Sequence, residues 1–231
     1  MFILKNEKAI EAEFKNLKNE VKIYFYSTKE NEKYPSCMAC PQTSDYLKYL
    51  ESTSNGKIKV TEFSLLENPD AGKEFGISLT PSIFLPDFNI LFTGAPFGSE
   101  SAVFIKTLVI ASTGNTDLDP DYRFRAKRLK GKLVRTIISP TCPYCPVASL
   151  NANRLSIASE GAIRSEIIES FEFQELVQKY GIEGVPAFVV AEIKNGKVIN
   201  DRLQFQGITH PVKFIQYFES QRGGSSDLMY G

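Results

Sequence analysis

The chain has 231 residues, 42% of them hydrophobic, with 27 Lys+Arg balanced by 27 Asp+Glu. That apolar content suffices for one large domain or two smaller ones and excludes a disordered chain. Zero formal net charge gives no basic excess for nucleic acid or an anionic membrane, and no apolar run approaches the roughly 18 residues that span a bilayer.

The start, MFILKNEKAIEAEF, lacks the basic region, long apolar stretch and small-residue cleavage site of a secretory leader, so the expected location is the cytoplasm. Residues 6–19 place Ile10, Phe14 and Leu17 on one helical face. VKIYFY (21–26) reads as a strand. Residues 38–54 read as a helix, with Gly56 as a stop signal. KIKVTEF (57–63) alternates like a strand, and 69–75 reads as a short helix stopped at Gly76. PSIFLPDFNILFTG (81–94) reads as a hairpin turned at Pro86-Asp87, and 99–112 as a helix. TGNTDLDPD (113–121) is polar and turn-rich.

The order then starts again. Residues 120–130 read as a helix, LVRTIIS (133–139) as a strand and 143–159 as a helix, with Pro143 suited to its first turn. AIRSEIIE (162–169) reads as a strand and 171–180 as a short helix. A hairpin runs over 186–206 and turns at Asn195-Gly196, and 211–220 is a closing helix. Each unit is expected to be a mixed central sheet with helices on both faces. The units are set at 1–117 and 118–222, with a flexible tail at 223–231.

The four cysteines form two C-x-x-C pairs, Cys37/Cys40 and Cys142/Cys145. Adding 105 to Pro35, Cys37, Cys40, Pro41, Ser44, Leu50, Gly56 and Ile58 gives Pro140, Cys142, Cys145, Pro146, Ser149, Leu155, Gly161 and Ile163. EFGISLTPS (74–82) aligns with KYGIEGVPA (179–187), so Pro81 meets Pro186. Each of these prolines follows its first cysteine by 44 residues (81 − 37 and 186 − 142). A gapless match of this length marks a duplicated unit.

A disulfide across two residues closes almost no loop and stabilises little by chain entropy. The pairs therefore either switch between thiol and disulfide or hold a metal. Each stands between a strand's end and a helix's start. Unpaired amides there favour a thiolate and lower its pKa below the free value of about 8.5. The first cysteine of each pair is then the nucleophile. The second, about one turn on, resolves the mixed disulfide.

C-x-x-C at a strand-to-helix turn, with TP or VP opening the hairpin, resembles the thioredoxin superfamily. CPYC is the glutaredoxin version of the motif. The whole chain resembles the glutaredoxin-like protein disulfide oxidoreductases of archaea and thermophilic bacteria. SPTCPYCPVA, EFQELVQKYGIEGVP and TGAPFGSESAVFIKTLVIASTGNTDL carry the likeness. The resemblance implies two tandem thioredoxin-like folds. It implies that Pro81 and Pro186 are cis and face the dithiols, and that Thr80 and Val185 offer backbone hydrogen bonds to an extended substrate. It implies exchange with protein thiols and disulfides and no tightly bound cofactor. Electrons would come from NADPH through a thioredoxin reductase-like flavoprotein, with peroxiredoxins as further partners. The chain departs from the pattern in having no Trp before the motif. Thr136 stands where thioredoxins carry an acid six positions before the first cysteine, and the loop 27–36 displaces that register in the first unit. The proton acceptor for the resolving cysteine is thus unassigned. CMAC lacks the proline of CPYC, so the second site is expected to be the stronger catalyst.

Zinc is the rival for the cysteines. Paired C-x-x-C zinc sites commonly lie about 15–20 residues apart, whereas Cys40 and Cys142 are separated by 102 (142 − 40). A structural disulfide stays open for Cys37–Cys40, since an inactive duplicate leaves the same pattern. The second functional class is a non-catalytic tandem-fold binding module or chaperone with structural C-x-x-C disulfides. His210 reads as a surface residue at a helix start rather than the base of a Cys-His hydrolase. The basic run 122–132 reads as a solvated helix face.

Overall fold

The computed structural model describes residues 7–28 and 37–221. In the first half, α1 (Glu7–Phe14) precedes β1 (Val21–Ser27), and α2 (Cys40–Thr53) leads into β2 (Ile58–Ser64). β3 (Ser82–Leu85) and β4 (Ile90–Thr93) form the hairpin, and α3 (Glu100–Thr113) follows. The second half runs α4 (Pro120–Lys127), β5 (Lys132–Ile138), α5 (Cys145–Ala158), β6 (Ile163–Glu169) and α6 (Gln174–Lys179). It ends with β7 (Ala187–Lys194), β8 (Lys197–Gln206) and α7 (Pro211–Ser220). The loop at 29–36, with Pro35, and the tail at 223–231 lie outside the described residues.

The strands form one eight-stranded sheet in the order β2-β1-β3-β4-β6-β5-β7-β8. Each half is mixed, as expected: β1 runs parallel to β2 and antiparallel to β3, and β5 parallel to β6 and antiparallel to β7. The sequence did not announce the join. β4 pairs in parallel with β6, from Ile90 opposite Ser165 to Thr93 opposite Ile168. Both strands are buried along their whole length, and Arg164, Glu166 and Glu169 in β6 disguise that burial as an alternating pattern.

Side chains point alternately to the two faces. Val21, Ile23 and Phe25 join the large core under α1, α2, α3, α5 and α7, whereas Tyr26 packs on the other face with Ile77 and Phe84. In the second half Val134 and Ile138 enter the same large core, and Ile137 lies on the opposite face beside residues of α6. This second face holds the buried Arg164 and Glu166 at the seam.

Local differences have local causes. The helices after the cysteine pairs begin at Cys40 and Cys145, later than the sequence suggests, with Pro41 and Pro146 in their first turns where no amide is needed. Pro143 stands before its helix. Residues 69–75 hold only a 3-10 turn, Lys73–Phe75, ended by Gly76 at φ +67°. Ahead of it the Asp70 amide donates to Asn68 Oδ1, the side-chain competition that disfavours helix in Asn- and Asp-rich stretches. The hairpin of the first half turns through the 3-10 residues Pro86–Phe88 and Asn89 at φ +55°. The second turns at Asn195 and Gly196, both at positive φ, as an Asn-Gly pair favours. In the basic run, Arg125 pairs with Glu219 and Lys127 with Glu160, so the run ties α4 to its neighbours.

Candidate functional site

β1 and β5 point the same way in the sheet, and each cysteine pair follows the carboxyl end of its strand. Both pairs are disulfides, with Cα atoms 5.3 Å apart for Cys37–Cys40 and 5.4 Å for Cys142–Cys145. The two sulfurs of a pair differ in access. Cys37 is half-buried and Cys40 buried; Cys142 is 8% exposed and Cys145 not at all. The residues between and after them stand out: Met38, Tyr144 and Val147 are exposed apolar side chains.

At the second pair the Cys142 amide donates to Ser139 O (3.1 Å), closing the turn after β5. The Cys145 amide donates to Cys142 Sγ at 3.1 Å. Proline at 146 leaves the helix start with one fewer amide, and this one is aimed at sulfur. A negative charge on Cys142 Sγ is stabilised by that N–H and by the positive end of α5. At the first pair the Cys40 amide donates instead to the Cys37 carbonyl, also at 3.1 Å.

The two prolines flanked by the repeat are both cis, at Thr80–Pro81 and Val185–Pro186. Their carbonyls accept from Gly94 N (2.9 Å) and Gly207 N (2.8 Å), which fixes each at the start of its hairpin. Cys142 Sγ lies 3.7 Å from Val185 O. Thr80 Oγ1 is 2.7 Å from Thr28 Oγ1, at the carboxyl end of β1. The structure therefore brings Cys142, Cys145, Val185 and Pro186 together, and sets Thr80 and Pro81 beside the end of β1. His210 is exposed and caps α7, its Nδ1 accepting from the Val212 amide at 3.3 Å.

A groove of about 340 Å³ runs between the two pairs, lined by Met38, Ala39, Phe97, Pro140, Glu169 and Glu172 among others. Glu172 accepts from the Ala95 amide at 3.0 Å. Burial, with the nearby Glu169 charge, raises its pKa, and the Ala95 hydrogen bond partly opposes this. Sequence reasoning missed a further acid. Glu100, the first residue of α3, is 3% exposed, and neither of its oxygens has a well-formed hydrogen bond. Burial pushes its pKa up to about 7, offset in part by the neighbouring Ser149 hydroxyl. In the sequence it looks like an ordinary acidic first turn. Only the docking of α3 against α5 across the unit boundary buries it.

Among the described residues no three His, Cys, Asp or Glu side chains gather as a metal-holding group, and no helix is long and apolar enough to cross a membrane.

Residues 134–218 match the family described as thioredoxin domain. Over 93 residues, 40% of this chain and 91% of the relative, the sequence is 29% identical to a probable thioredoxin of Archaeoglobus fulgidus. The structure is similar to that of a protein disulfide oxidoreductase from Aeropyrum pernix K1, with a TM-score of 0.82 and 25% identity over 97% of this chain and 95% of the other. It also shares the fold of the NTD_N/C domain of alkylhydroperoxide reductase AhpF from Enterococcus faecalis, with a TM-score of 0.74 and 21% identity over 91% and 96% of the two chains.

Proposed function

We propose that this pair of thioredoxin-like folds is a protein disulfide oxidoreductase that exchanges electrons with protein thiols through two dithiols. The observation that carries the reading is the 3.1 Å hydrogen bond from the Cys145 amide to Cys142 Sγ. It stabilises a thiolate at the more accessible sulfur of a C-x-x-C pair while its partner stays buried, the asymmetry that two-step exchange needs.

In the reducing direction the Cys142 thiolate attacks a substrate disulfide and one substrate sulfur leaves as thiolate. Cys145 then attacks Cys142 Sγ, the second substrate sulfur leaves, and the Cys142–Cys145 disulfide forms. Two electrons have passed to the substrate. The reverse sequence inserts a disulfide. Cys37 and Cys40 are read as a second dithiol of the same kind. Val185 with Pro186, and Thr80 with Pro81, are assigned to holding an extended substrate strand beside each pair; the 3.7 Å approach of Val185 O to Cys142 Sγ supports this at the second site. The exposed Met38, Tyr144 and Val147 give that substrate apolar contacts.

The unit boundary is set at 117/118 and the location at the cytoplasm. The proposed electron source is NADPH through a thioredoxin reductase-like flavoprotein, with peroxiredoxin as a recipient. Dithiol chemistry of this type supports such an exchange. The test is a redox titration in glutathione buffers of the Cys37→Ser/Cys40→Ser and Cys142→Ser/Cys145→Ser proteins. One reversible couple in each is expected. Absence of a reversible couple in both would falsify the oxidoreductase reading.

A further inference from the structure

We propose that a cavity at the seam of the two halves, on the second face of the sheet, binds a compact oxoanion such as inorganic phosphate or sulfate. None of the residues lining it is a cysteine, and the site does not depend on the dithiol chemistry.

The cavity measures about 160 Å³. At about 30 Å³ per water that is room for about five waters, which suits an ion of a few heavy atoms and excludes a nucleotide. It lies where β3, β4, β6 and β5 run side by side. One cross-strand row there is Phe84, Leu91, Glu166 and Arg135, and the next is Ser82, Thr93, Ile168 and Ile137. Gly76, Ser78 and Leu79 line it too and are exposed, so it opens to solvent along that loop. Arg135 directs Nε and Nη2 at Glu166 and Nη1 at Tyr180 OH. A guanidinium has five N–H donors in one plane, so two remain uncommitted. Glu166 is also the carboxylate that pairs with Arg164. Two buried arginines therefore share one carboxylate, and no second acid pairs with either among the described residues. Tyr180 OH leads on to Asp201, but that carboxylate is paired with Lys179. The cluster carries one excess positive charge, where burial makes an uncompensated charge costly. An anion beside Arg135 offsets it. Glu166 opposes that anion, but each of its oxygens already faces an arginine.

Ser82 is the second, independent observation. It lines the cavity, is 1% exposed, and its hydroxyl has no hydrogen-bond partner among the described residues. Buried hydroxyls in native proteins are rarely left that way without a role. The repeat supplies an internal control. Ala187 stands at the matching position (82 + 105) and is buried in the second half. The fold therefore accepts a methyl group there, and packing does not call for the hydroxyl. Thr93, directly opposite Ser82 on β4, brings another hydroxyl to the same cavity. Guanidinium and hydroxyl donors around one small space match a tetrahedral oxoanion, whose charged oxygens accept strong hydrogen bonds.

The test is calorimetric titration of the full chain with sodium phosphate, and separately with sodium sulfate, at an ionic strength held constant with sodium chloride. Saturable binding of one anion per chain is expected. Ser82→Ala should weaken it about tenfold, the loss of one hydrogen bond to a charged group. That variant should not lower the urea midpoint in chloride, as Ala187 at the matching position indicates. Arg135→Lys keeps a positive charge beside Glu166 but loses the planar fork, and should weaken binding further. If the lysine variant does not fold, Ser82→Ala carries the test. Phosphate should also raise the Tm of the parent more than that of Ser82→Ala. A cavity that holds only water would give no saturable binding of either anion and would overturn the proposal. Equal stabilisation by chloride, or an affinity that Ser82→Ala leaves unchanged, would overturn it as well.

Discussion

Replacing Glu166 with alanine should destabilise the protein by about 3–5 kcal/mol, the cost of stranding a buried charge that has lost its partner. Glu166 lies on β6 between Leu91 of β4 and Arg135 of β5, at the seam of the two units. Its Oε2 accepts from Arg135 Nε and pairs with Arg135 Nη2, both at 2.7 Å, and its Oε1 is 2.8 Å from Arg164 Nε. All three side chains are nearly buried, at 12%, 8% and 7% exposure for Arg135, Glu166 and Arg164. The arginines are anchored at their far ends, Arg135 Nη1 to Tyr180 OH and Arg164 Nη1 to Phe75 O, both at 2.6 Å. They are therefore poorly placed to swing into solvent when the carboxylate goes. Urea unfolding at pH 7 measures the loss as a shift in midpoint at constant slope. Because buried pairs are screened little, the loss should persist between 0.1 and 1 M salt. Glu166→Gln keeps the shape and one acceptor oxygen and should cost less. A loss below about 1 kcal/mol in the alanine variant, or one that vanishes in salt, would match an exposed pair and refute the reasoning.

Glu100→Gln should change the pH dependence of stability. The folded state holds the Glu100 proton up to about 7, against an ordinary value of 4.5. Its contribution is full below pH 4.5 and is lost as pH rises to about 7, an order-of-magnitude loss of about 3 kcal/mol that the neutral glutamine escapes. Denaturation of both proteins at pH 4.5 and 8 checks this; parallel profiles would contradict it. Cys142 should ionise at lower pH than Cys37, given the amide directed at its sulfur. Iodoacetamide alkylation of the two single-dithiol proteins across pH 5–9 reads the difference, and equal midpoints would remove the assigned role of that amide. Gly94→Ala should cost about 1–3 kcal/mol, because φ is +105° and a Cβ there would sit 2.8 Å from Glu169 Cβ. A thermal scan showing no loss would mean the seam yields at that point.

The elements that repeat were the legible ones. The apolar strands at 21–26 and 133–139, the stop signals at Gly56 and Gly76, and the Asn195-Gly196 turn are set by neighbours in sequence. Reading them required only local chemistry. The C-x-x-C pairs and the proline 44 residues beyond each mark the candidate site for the same reason. What stayed hidden depends on contacts between the halves. Glu100 is an ordinary helix-start acid until α3 meets α5. Arg164 and Glu166 look like the wet side of a strand until β4 covers them. The helices expected from 38 and 143 begin instead at Cys40 and Cys145, because the residues after each first cysteine form a turn of their own before the helix.

The shared sheet sets the distance between the two dithiols. β1 and β5 are four strand steps apart, through β3, β4 and β6. At about 4.8 Å per step, the carboxyl ends of β1 and β5 are held on the order of 19 Å from each other. Hydrogen bonds across every step make that spacing a stiff ruler rather than a hinge. An extended segment, advancing about 3.3 Å per residue, covers the gap in about six residues. On the proposed exchange reading, an extended substrate of that length reaches from the end of one strand to the end of the other.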